Sequence, residues 1–273
     1  MKKIKKNNSR LEETFRVLKE KGETALITFI TAGDPSLQKT KEIVLEMEKS
    51  GADIVELGIP FSDPMADGPT IQGSSERALA RGTKMAGVLK LLSEIRKKTS
   101  IPVVLFGYYN PIFNYGLKKF SKAAKKAGAD GLLVVDLPPE ESGDLKKELD
   151  CVELDLIYLL TPTSDESRMR VVSKVASGFI YYVSLTGVTG ARKKVASNVS
   201  SSIKKLRRFT KLPVAVGFGV STTEQVRAFS KCADGVVVGS AIVNLIAKEA
   251  ASKKMPRSVG SFIAKLKKGA KRS

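Results

Sequence analysis

The segment Gly51–Gln72 reads GADIVELGIPFSDPMADGPTIQ and says more about the fold than any other stretch of the chain. Its apolar run Ile54–Gly58 predicts a strand, and near-continuous hydrophobicity is typical of parallel strands covered on both faces. Glu56 stands inside this strand, and Asp67 lies in the glycine- and proline-rich loop that follows. Because burial disfavours a charged carboxylate, a glutamate at such a position indicates a functional group.

Similar strands recur along the chain, each followed by a charged, amphipathic stretch that predicts a helix. The predicted strands are Ala25–Thr31, Ile54–Gly58, Pro102–Gly107, Gly131–Asp136, Leu154–Leu160, Phe179–Ser184, Pro213–Gly217 and Gly235–Gly239. The predicted helices include Leu37–Ser50, Lys84–Thr99, Leu117–Ala127, Glu166–Ala176 and Thr222–Lys231. Eight strands that alternate with helices predict an α/β fold, the (β/α)8 or TIM barrel, with additional short helices.

Short repeats support this architecture. Gly51-Ala52-Asp53, Gly128-Ala129-Asp130 and, more loosely, Cys232-Ala233-Asp234 each end a predicted helix and open a strand, which indicates repeated βα units. An extra helix over Leu11–Lys21 is expected to cap the bottom of the barrel. We expect one domain over residues 1–273, with basic tails at 1–8 and 269–273.

The composition restricts the chemistry that the chain can perform. It has a formal charge of +19 and no histidine, so acid–base catalysis at neutral pH must use carboxylates, tyrosine, lysine or cysteine. The lysines cluster at the termini and on polar helix faces, without the interleaved aromatics of a base-stacking surface. This pattern argues against specific nucleic-acid binding and favours a general attraction for phosphorylated metabolites.

Other classes of protein are also disfavoured. No apolar run approaches the roughly 20 residues that a membrane helix needs. The basic N-terminus lacks the apolar stretch of a signal peptide. Cys151 and Cys232 have neither metal-ligand spacing nor a paired framework, so we expect no metal and a reducing, cytoplasmic location.

Three sets of residues fall at the carboxyl ends of the predicted strands, where barrels of this kind place their active sites. The first set is the acid pair Glu56 and Asp67, in which a buried acid and a solvated one could divide the work. An ion pair is the alternative for Glu56, although no predicted strand contains lysine or arginine. A plain turn residue is the alternative for Asp67. The lack of strand lysines also argues against Schiff-base chemistry.

The second set is glycine-rich and predicts a phosphate site, since glycines let backbone N–H groups approach an anion. A helix that begins at Ser240 would add its positive dipole end. Tight βα turns are the alternative. The loops are Gly187–Gly190, Gly217–Ser221 and Gly239–Ala241.

The third set consists of a segment that could close over the substrate and a side chain that could orient it. Residues 187–198, GVTGARKKVASN, are polar and long for a βα loop, as expected for a lid. An ordinary surface loop is the alternative. Tyr181 could place its phenol beside the acid pair, or could simply pack in the core.

The chain resembles the tryptophan synthase alpha subunit family from about Leu11 to Lys268. The match is carried by the block Val55–Gln72, by Phe29–Pro35 (FITAGDP) and by Tyr181–Gly190 (YYVSLTGVTG) with Gly217–Ser221 (GFGVS). A departure is Leu185, where some members carry arginine.

The resemblance implies retro-aldol cleavage of indole-3-glycerol phosphate to indole and glyceraldehyde 3-phosphate in tryptophan biosynthesis. Glu56 matches the glutamate that shuttles protons, and Asp67 matches the aspartate that accepts the indole N–H. Asp136 and Thr189 match positions that support lid closure. The other implied substrate-binding residues are Phe29, Ile71, Tyr181, Gly190, Phe218, Gly219, Val237, Gly239 and Ser240.

The resemblance also implies that the chain needs no cofactor and docks through the loop Pro60–Pro64 onto a pyridoxal-phosphate-dependent beta subunit in an α2β2 tetramer. Two other functions are compatible with the fold. One is a free-standing lyase that releases indole without a partner. The other is a non-enzymatic activator of a beta subunit, which would predict loss of Glu56 or Asp67.

Overall fold

The computed structural model describes residues 9–184, 192–217 and 219–271, with only the backbone for residues 192–197. The strands are β1 Ala25–Thr31, β2 Ile54–Gly58, β3 Val103–Gly107, β4 Gly131–Val134, β5 Asp155–Leu160, β6 Ile180–Val183, β7 Val214–Gly217 and β8 Gly235–Val238. The helices are α1 Arg10–Glu20, α2 Leu37–Lys49, α3 Pro69–Ala80, α4 Met85–Arg96, α5 Tyr109–Tyr115, α6 Leu117–Ala127, α7 Gly143–Asp150, α8 Glu166–Val175, α9 Arg192–Leu206, α10 Thr223–Ser230, α11 Ser240–Lys248 and α12 Met255–Lys267.

The strands form a closed parallel barrel in sequence order, with β8 paired to β1. The predicted (β/α)8 fold is therefore confirmed. Several strands are shorter than predicted at their ends. Pro102 and Pro213 stand just outside β3 and β7 because proline has no N–H to donate to the ladder, although their carbonyls still accept from Val55 and Ile180.

The helix boundaries follow local capping signals. Ser9 caps α1 by accepting the Glu12 N–H, and Thr222 with Gln225 forms a capping box at the start of α10. Gly128 ends α6 in the left-handed conformation, with φ of 96°. Gly128, the first residue of the repeated Gly-Ala-Asp motif, therefore ends a helix as the sequence predicted.

The core has two layers, an inner one within the barrel and an outer one between strands and helices. Leu11, Phe15 and Leu18 of α1 are buried in the inner layer, where the Phe15 ring lies 5.7 Å from that of Phe179. The N-terminal helix therefore closes the bottom of the barrel, as predicted. None of the helices in the described ranges is long and apolar enough to cross a membrane.

Two sequence-based boundaries need correction. The predicted C-terminal tail does not begin at residue 269, because Ala270 is fully buried and its carbonyl accepts the Thr24 N–H at 2.8 Å. Lys271 also forms a bridge with Glu23. The predicted loop over residues 187–198 is too long, since α9 already begins at Arg192. Residues 187–191 lie outside the described part.

Candidate active site

Glu56 lies in β2 between Phe29 of β1 and Val104 of β3 in the strand register. Its side chain is only 1% exposed, and neither carboxylate oxygen has a hydrogen-bond partner among the described residues. The ion pair that would have given Glu56 a structural role is therefore absent from the part of the chain that the structure describes. A buried carboxylate without donors is strongly destabilised in its charged form.

Burial alone raises the pKa of Glu56 from 4.5 to about 8. No neighbouring cation or N–H group counteracts it among the causes of this shift. A carboxyl group with a pKa near neutrality exchanges its proton readily in both directions, as a general acid–base catalyst must. The position of Glu56 in an apolar, fully buried strand accounts for this raised pKa.

Tyr181 of β6 faces Glu56 from the other side of the barrel. Its side chain is 8% exposed, and burial together with the nearby Glu56 charge raises the pKa of its phenol. The hydroxyl lies against Gly217, where a Cβ atom would stand only 2.1 Å from it. Glycine at position 217 therefore makes room for the tyrosine, and the phenol stays protonated as a hydrogen-bond donor.

Asp67 lies in the loop between β2 and α3, immediately before the N-cap Gly68. It is half-buried, and burial raises its pKa, while a hydrogen bond from Tyr108 counteracts the rise. The Tyr108 hydroxyl also accepts the Ala66 N–H at 3.0 Å. Tyr108 therefore contacts both the acid and the residue that precedes it.

Tyr108 is a site residue that the sequence reasoning missed. It follows directly on Gly107 at the carboxyl end of β3 and is 3% exposed. A tyrosine placed directly after a buried strand was the available signal, because strand ends carry the active sites of barrels. Its neighbour Tyr109 donates its N–H to Asp136 at 2.8 Å, which joins the ends of β3 and β4.

An apolar wall lies beside Glu56, whose register partner in β1 is Phe29. Phe29 is 6% exposed and Val237 is 3% exposed, whereas Ile71 in the first turn of α3 is partly buried. Phe106 of β3, which the sequence reasoning also missed, packs edge-on against Phe29 with ring centroids 5.0 Å apart. The wall can enclose a flat aromatic group next to Glu56.

The predicted phosphate site is only partly described. β6, β7 and β8 are adjacent and parallel, so their carboxyl ends meet at one rim. Gly219 has a φ of 74°, which favours glycine, and α11 begins at Ser240 after the N-cap Gly239. The first N–H groups of a helix have no partner within it and attract anions. Thr189, Gly190 and Phe218, together with Leu185, lie outside the described residues.

Side chains also fix α3, the helix that follows Asp67. Arg77 donates two hydrogen bonds to the buried Asp34 at 2.9 and 2.8 Å, and the Ser74 hydroxyl lies 2.6 Å from that of Thr31. These contacts attach one face of α3 to the end of β1 and to the loop behind it. The helix that follows Asp67 is therefore anchored to the end of β1 and to the loop after it.

The loop Pro60–Pro64 contains one aromatic side chain. Phe61 is partly buried, with its ring 5.3 Å from that of Tyr108. The exposed apolar side chain is Met65, at 84% exposure. Asp63 is exposed beside it.

The described residues contain no group of three or more cysteine, aspartate or glutamate side chains that could hold a metal.

Comparison with known proteins gives a consistent result. Residues 15–271 match the family described as tryptophan synthase alpha chain. The chain is 55% identical over 261 residues to the tryptophan synthase alpha chain of Geobacter sp. (strain M21), covering 96% of this chain and 97% of that protein. It is 48% identical to the alpha chain of Thermoanaerobacter sp. (strain X514), covering 95% and 98%. The crystal structure of tryptophan synthase subunit alpha from Legionella pneumophila superposes with a TM-score of 0.89 at 38% identity, covering 96% and 98%.

Proposed function

Since this chain belongs to the tryptophan synthase alpha chain family, whose members cleave indole-3-glycerol phosphate in tryptophan biosynthesis, we propose that Glu56 and Asp67 perform that cleavage here. The observation that carries the proposal is Glu56, a carboxyl group that is 1% exposed, has no partner among the described residues and has a pKa raised to about 8. Both protonation forms of such a group are accessible near neutral pH.

The reaction breaks the bond between indole C3 and the first glycerol carbon. Protonated Glu56 delivers its proton to C3, while Asp67 accepts a hydrogen bond from the indole N–H and favours the indolenine tautomer. The bonding electrons then leave with C3 as indole forms. The Glu56 carboxylate removes the proton from the hydroxyl on the first glycerol carbon, which becomes the aldehyde of glyceraldehyde 3-phosphate. Glu56 ends the cycle protonated, as it began.

The surrounding residues orient the substrate in this proposal. Phe29, Ile71 and Val237 enclose the indole ring, with Phe218 as a further wall. Tyr181 donates its hydroxyl near Glu56, which is supported by the effect of the nearby Glu56 charge on the pKa of the tyrosine. Gly219, Gly239 and Ser240 present backbone N–H groups to the phosphate, together with Gly190, and Thr189 and Asp136 support closure of the loop that precedes α9.

Family membership implies a tryptophan synthase complex with a beta subunit. We assign an α2β2 stoichiometry, with pyridoxal phosphate on the beta subunit only and no cofactor in this chain. The loop Pro60–Pro64 is the docking element, because it joins the strand of Glu56 to Asp67 and presents the exposed Asp63. A cytoplasmic location accords with the composition.

The decisive experiment measures indole release from indole-3-glycerol phosphate by the purified chain, alone and with a cognate beta subunit. We expect slow release by the chain alone and roughly tenfold faster release in the complex, a difference of about 1.4 kcal/mol in transition-state stabilisation. Equal rates would identify a free-standing lyase. No release in either sample would identify a non-enzymatic activator and contradict the proposal.

The docking loop is tested by titrating the beta subunit against wild type and Asp63→Ala. The variant should lose most of the acceleration, because ordering of the loop by the partner aligns Asp67 with Glu56. Glu153→Ala is the matched control, since Glu153 is an exposed acid at the opposite end of the barrel. Acceleration that survives in Asp63→Ala would exclude this loop as the coupling element.

A further inference from the structure

The floor of the barrel, at the amino ends of its strands, contains a contact that repeats four times. In each contact, a residue that precedes an even-numbered strand makes two hydrogen bonds to one residue of the strand before it. Its backbone N–H donates to the carbonyl of that strand residue, and its side chain accepts the backbone N–H of the strand residue. The pairs are Asp53 with Leu26, Asp130 with Val103, Ser177 with Leu156, and Asp234 with Val214. The barrel therefore has a two-strand repeat at its floor.

Three of the four positions carry an aspartate, and the chain supplies each of them with a cation. Lys267 lies 2.7 Å from Asp53, and Arg207 lies 2.5 Å from Asp234. Asp130 receives both Arg10, at 2.6 Å, and Arg96, at 3.0 Å. Charge at the floor is thus neutralised locally wherever the repeat has a carboxylate.

The third repeat is different. Its position is Ser177, which is uncharged, and the carboxylate belongs instead to Asp155, the residue before Leu156. Asp155 is 8% exposed, and its Oδ2 atom is buried without a hydrogen-bond partner among the described residues. The buried hydroxyl of Ser173 in α8 is unpartnered there as well. An unpaired buried carboxylate oxygen is costly, so its presence calls for a donor from elsewhere.

A groove opens at this same place. Asp155 and Ser173 line a cavity of about 1000 Å³ at the floor, bounded by α1, by α7 and α8 and by the segment after α9. Its apolar wall includes Phe15, Phe209 and Leu212. Five cationic side chains also line it. Arg16, Lys146 and Arg207 are each paired with another acid, and Lys19 and Lys211 are exposed.

We propose that this floor groove is a binding site for a small organic cation, whose ammonium group pairs with Asp155 and whose apolar body packs on Phe15, Phe209 and Leu212. The bound ammonium takes the place that Lys267, Arg96 and Arg207 occupy in the other repeats. An ammonium group has several N–H donors, and its hydrogen bonds to a buried carboxylate are charge-assisted. The site lies at the end of the barrel opposite to Glu56 and is independent of the cleavage reaction.

The probe for this site is 2-phenylethylamine, which has an ammonium group on an apolar body, with 2-phenylethanol as its uncharged counterpart. Calorimetric titration of the full chain should show binding of the amine and at least tenfold weaker binding of the alcohol. Asp155→Asn should weaken amine binding at least tenfold, equal to about 1.4 kcal/mol. Asp150→Asn, which removes an exposed carboxylate of the same groove, should leave it unchanged.

Failure to bind the amine, or equal weakening in both variants, would overturn the proposal. A second measurement covers folding. Without ligand, Asp155→Asn should melt at or above the wild-type temperature, because it removes an unpaired buried charge, whereas Asp53→Asn should melt lower because it breaks an ion pair. A fall in Asp155→Asn as large as that in Asp53→Asn would show that Asp155 already has a partner within the chain, and the site would be refuted.

Discussion

Buried carboxylates have opposite surroundings at the two ends of the barrel. At the floor, Asp130 accepts the Val103 N–H at 2.8 Å and pairs with two guanidinium groups. At the carboxyl ends of the strands, Glu56 has no partner among the described residues. Burial raises the pKa of both groups, but only at Asp130 do an N–H donor and cations oppose the rise. Similar burial therefore gives a structural acid at one end and a reactive acid at the other.

This difference separates stability from catalysis within one fold. A carboxylate that is paired and hydrogen-bonded keeps its charge and joins strands to helices, and removing it leaves its cation unpaired. A carboxylate without donors lowers the stability of the folded chain near neutral pH, but it can give and take a proton during a reaction. Substitutions at the two ends should accordingly affect different measurements.

The largest effect is expected for Glu56→Gln. The amide keeps the shape of the side chain but cannot transfer a proton, so indole release should fall by about 10²- to 10⁴-fold. Steady-state cleavage in the complex measures this loss, and circular dichroism should show an intact fold. A turnover near that of wild type would show that Glu56 does not take part in the reaction. The contrast between a reactive acid at one end of the barrel and structural acids at the other would then be wrong.

Asp130→Ala should affect the stability of the fold rather than turnover. It removes the partner of Arg96, whose side chain is 17% exposed, and should lower the free energy of unfolding by about 3 kcal/mol. Urea titration measures the change, while turnover per folded molecule should stay near wild type. Asp150→Ala is the matched control, because its exposed helical pair with Lys146 contributes only about 0.5 kcal/mol. Equal losses in the two variants would contradict a special role for the floor pairs.

The dependence of stability on pH gives a sharper test of Glu56. Between its ordinary pKa of 4.5 and the raised value of about 8, the unfolded chain has released the proton that the folded chain retains. The contribution of Glu56 is fully favourable below this window, and stability should fall by about 1.4 kcal/mol per pH unit as the pH rises through it. Glu56→Gln lacks this dependence.

Denaturant titrations of wild type and Glu56→Gln across this window measure the effect. The variant should become progressively more stable than wild type as the pH rises, with no further gain above the raised pKa. A difference between Glu56→Gln and wild type that does not vary with pH would exclude a raised pKa for Glu56.

The smallest effect concerns the phosphate site. Gly219 and Gly82 both have a positive φ, of 74° and 78°. Alanine at either position should lower the free energy of unfolding by about 1 kcal/mol because of backbone strain. Only Gly219→Ala should also weaken glycerol 3-phosphate binding, by about tenfold, since Gly82 lies in the turn between α3 and α4. Unchanged phosphate affinity in Gly219→Ala would identify Gly219 as a turn residue only.

Much of the fold could be predicted from the sequence, because apolar β-branched runs and helix-ending glycines are local signals. The closed barrel, the spans of β1, β2 and α6 and the start of α11 at Ser240 agree with the prediction. Glu56 was recognisable as a carboxylate inside an apolar strand. Assigning chemistry to it relied on the family resemblance, since a lone buried acid does not name a substrate.

The partners of these residues could not be predicted, because they come from distant parts of the chain. Tyr108 reaches Asp67 from the position just after β3, and Lys267 pairs with Asp53 across 214 positions of sequence. The repeated aspartates were visible as a pattern, but their contacts with the preceding strands were not. Ser177 could not be recognised from the sequence, since it makes the same contact as the three aspartates but does not belong to a glycine–alanine–aspartate motif.

The floor contacts also bear on how the chain folds. Each of the four joins residues close in sequence, with separations of 27 positions for Asp53 and for Asp130, 21 for Ser177 and 20 for Asp234. Short separations carry a small loop-closure entropy, so neighbouring strands can pair early and independently. The contact between Ala25 and Asp234, which joins β1 to β8, spans nearly the whole chain. The barrel is therefore expected to assemble as consecutive strand pairs, and the β1–β8 seam is expected to form last.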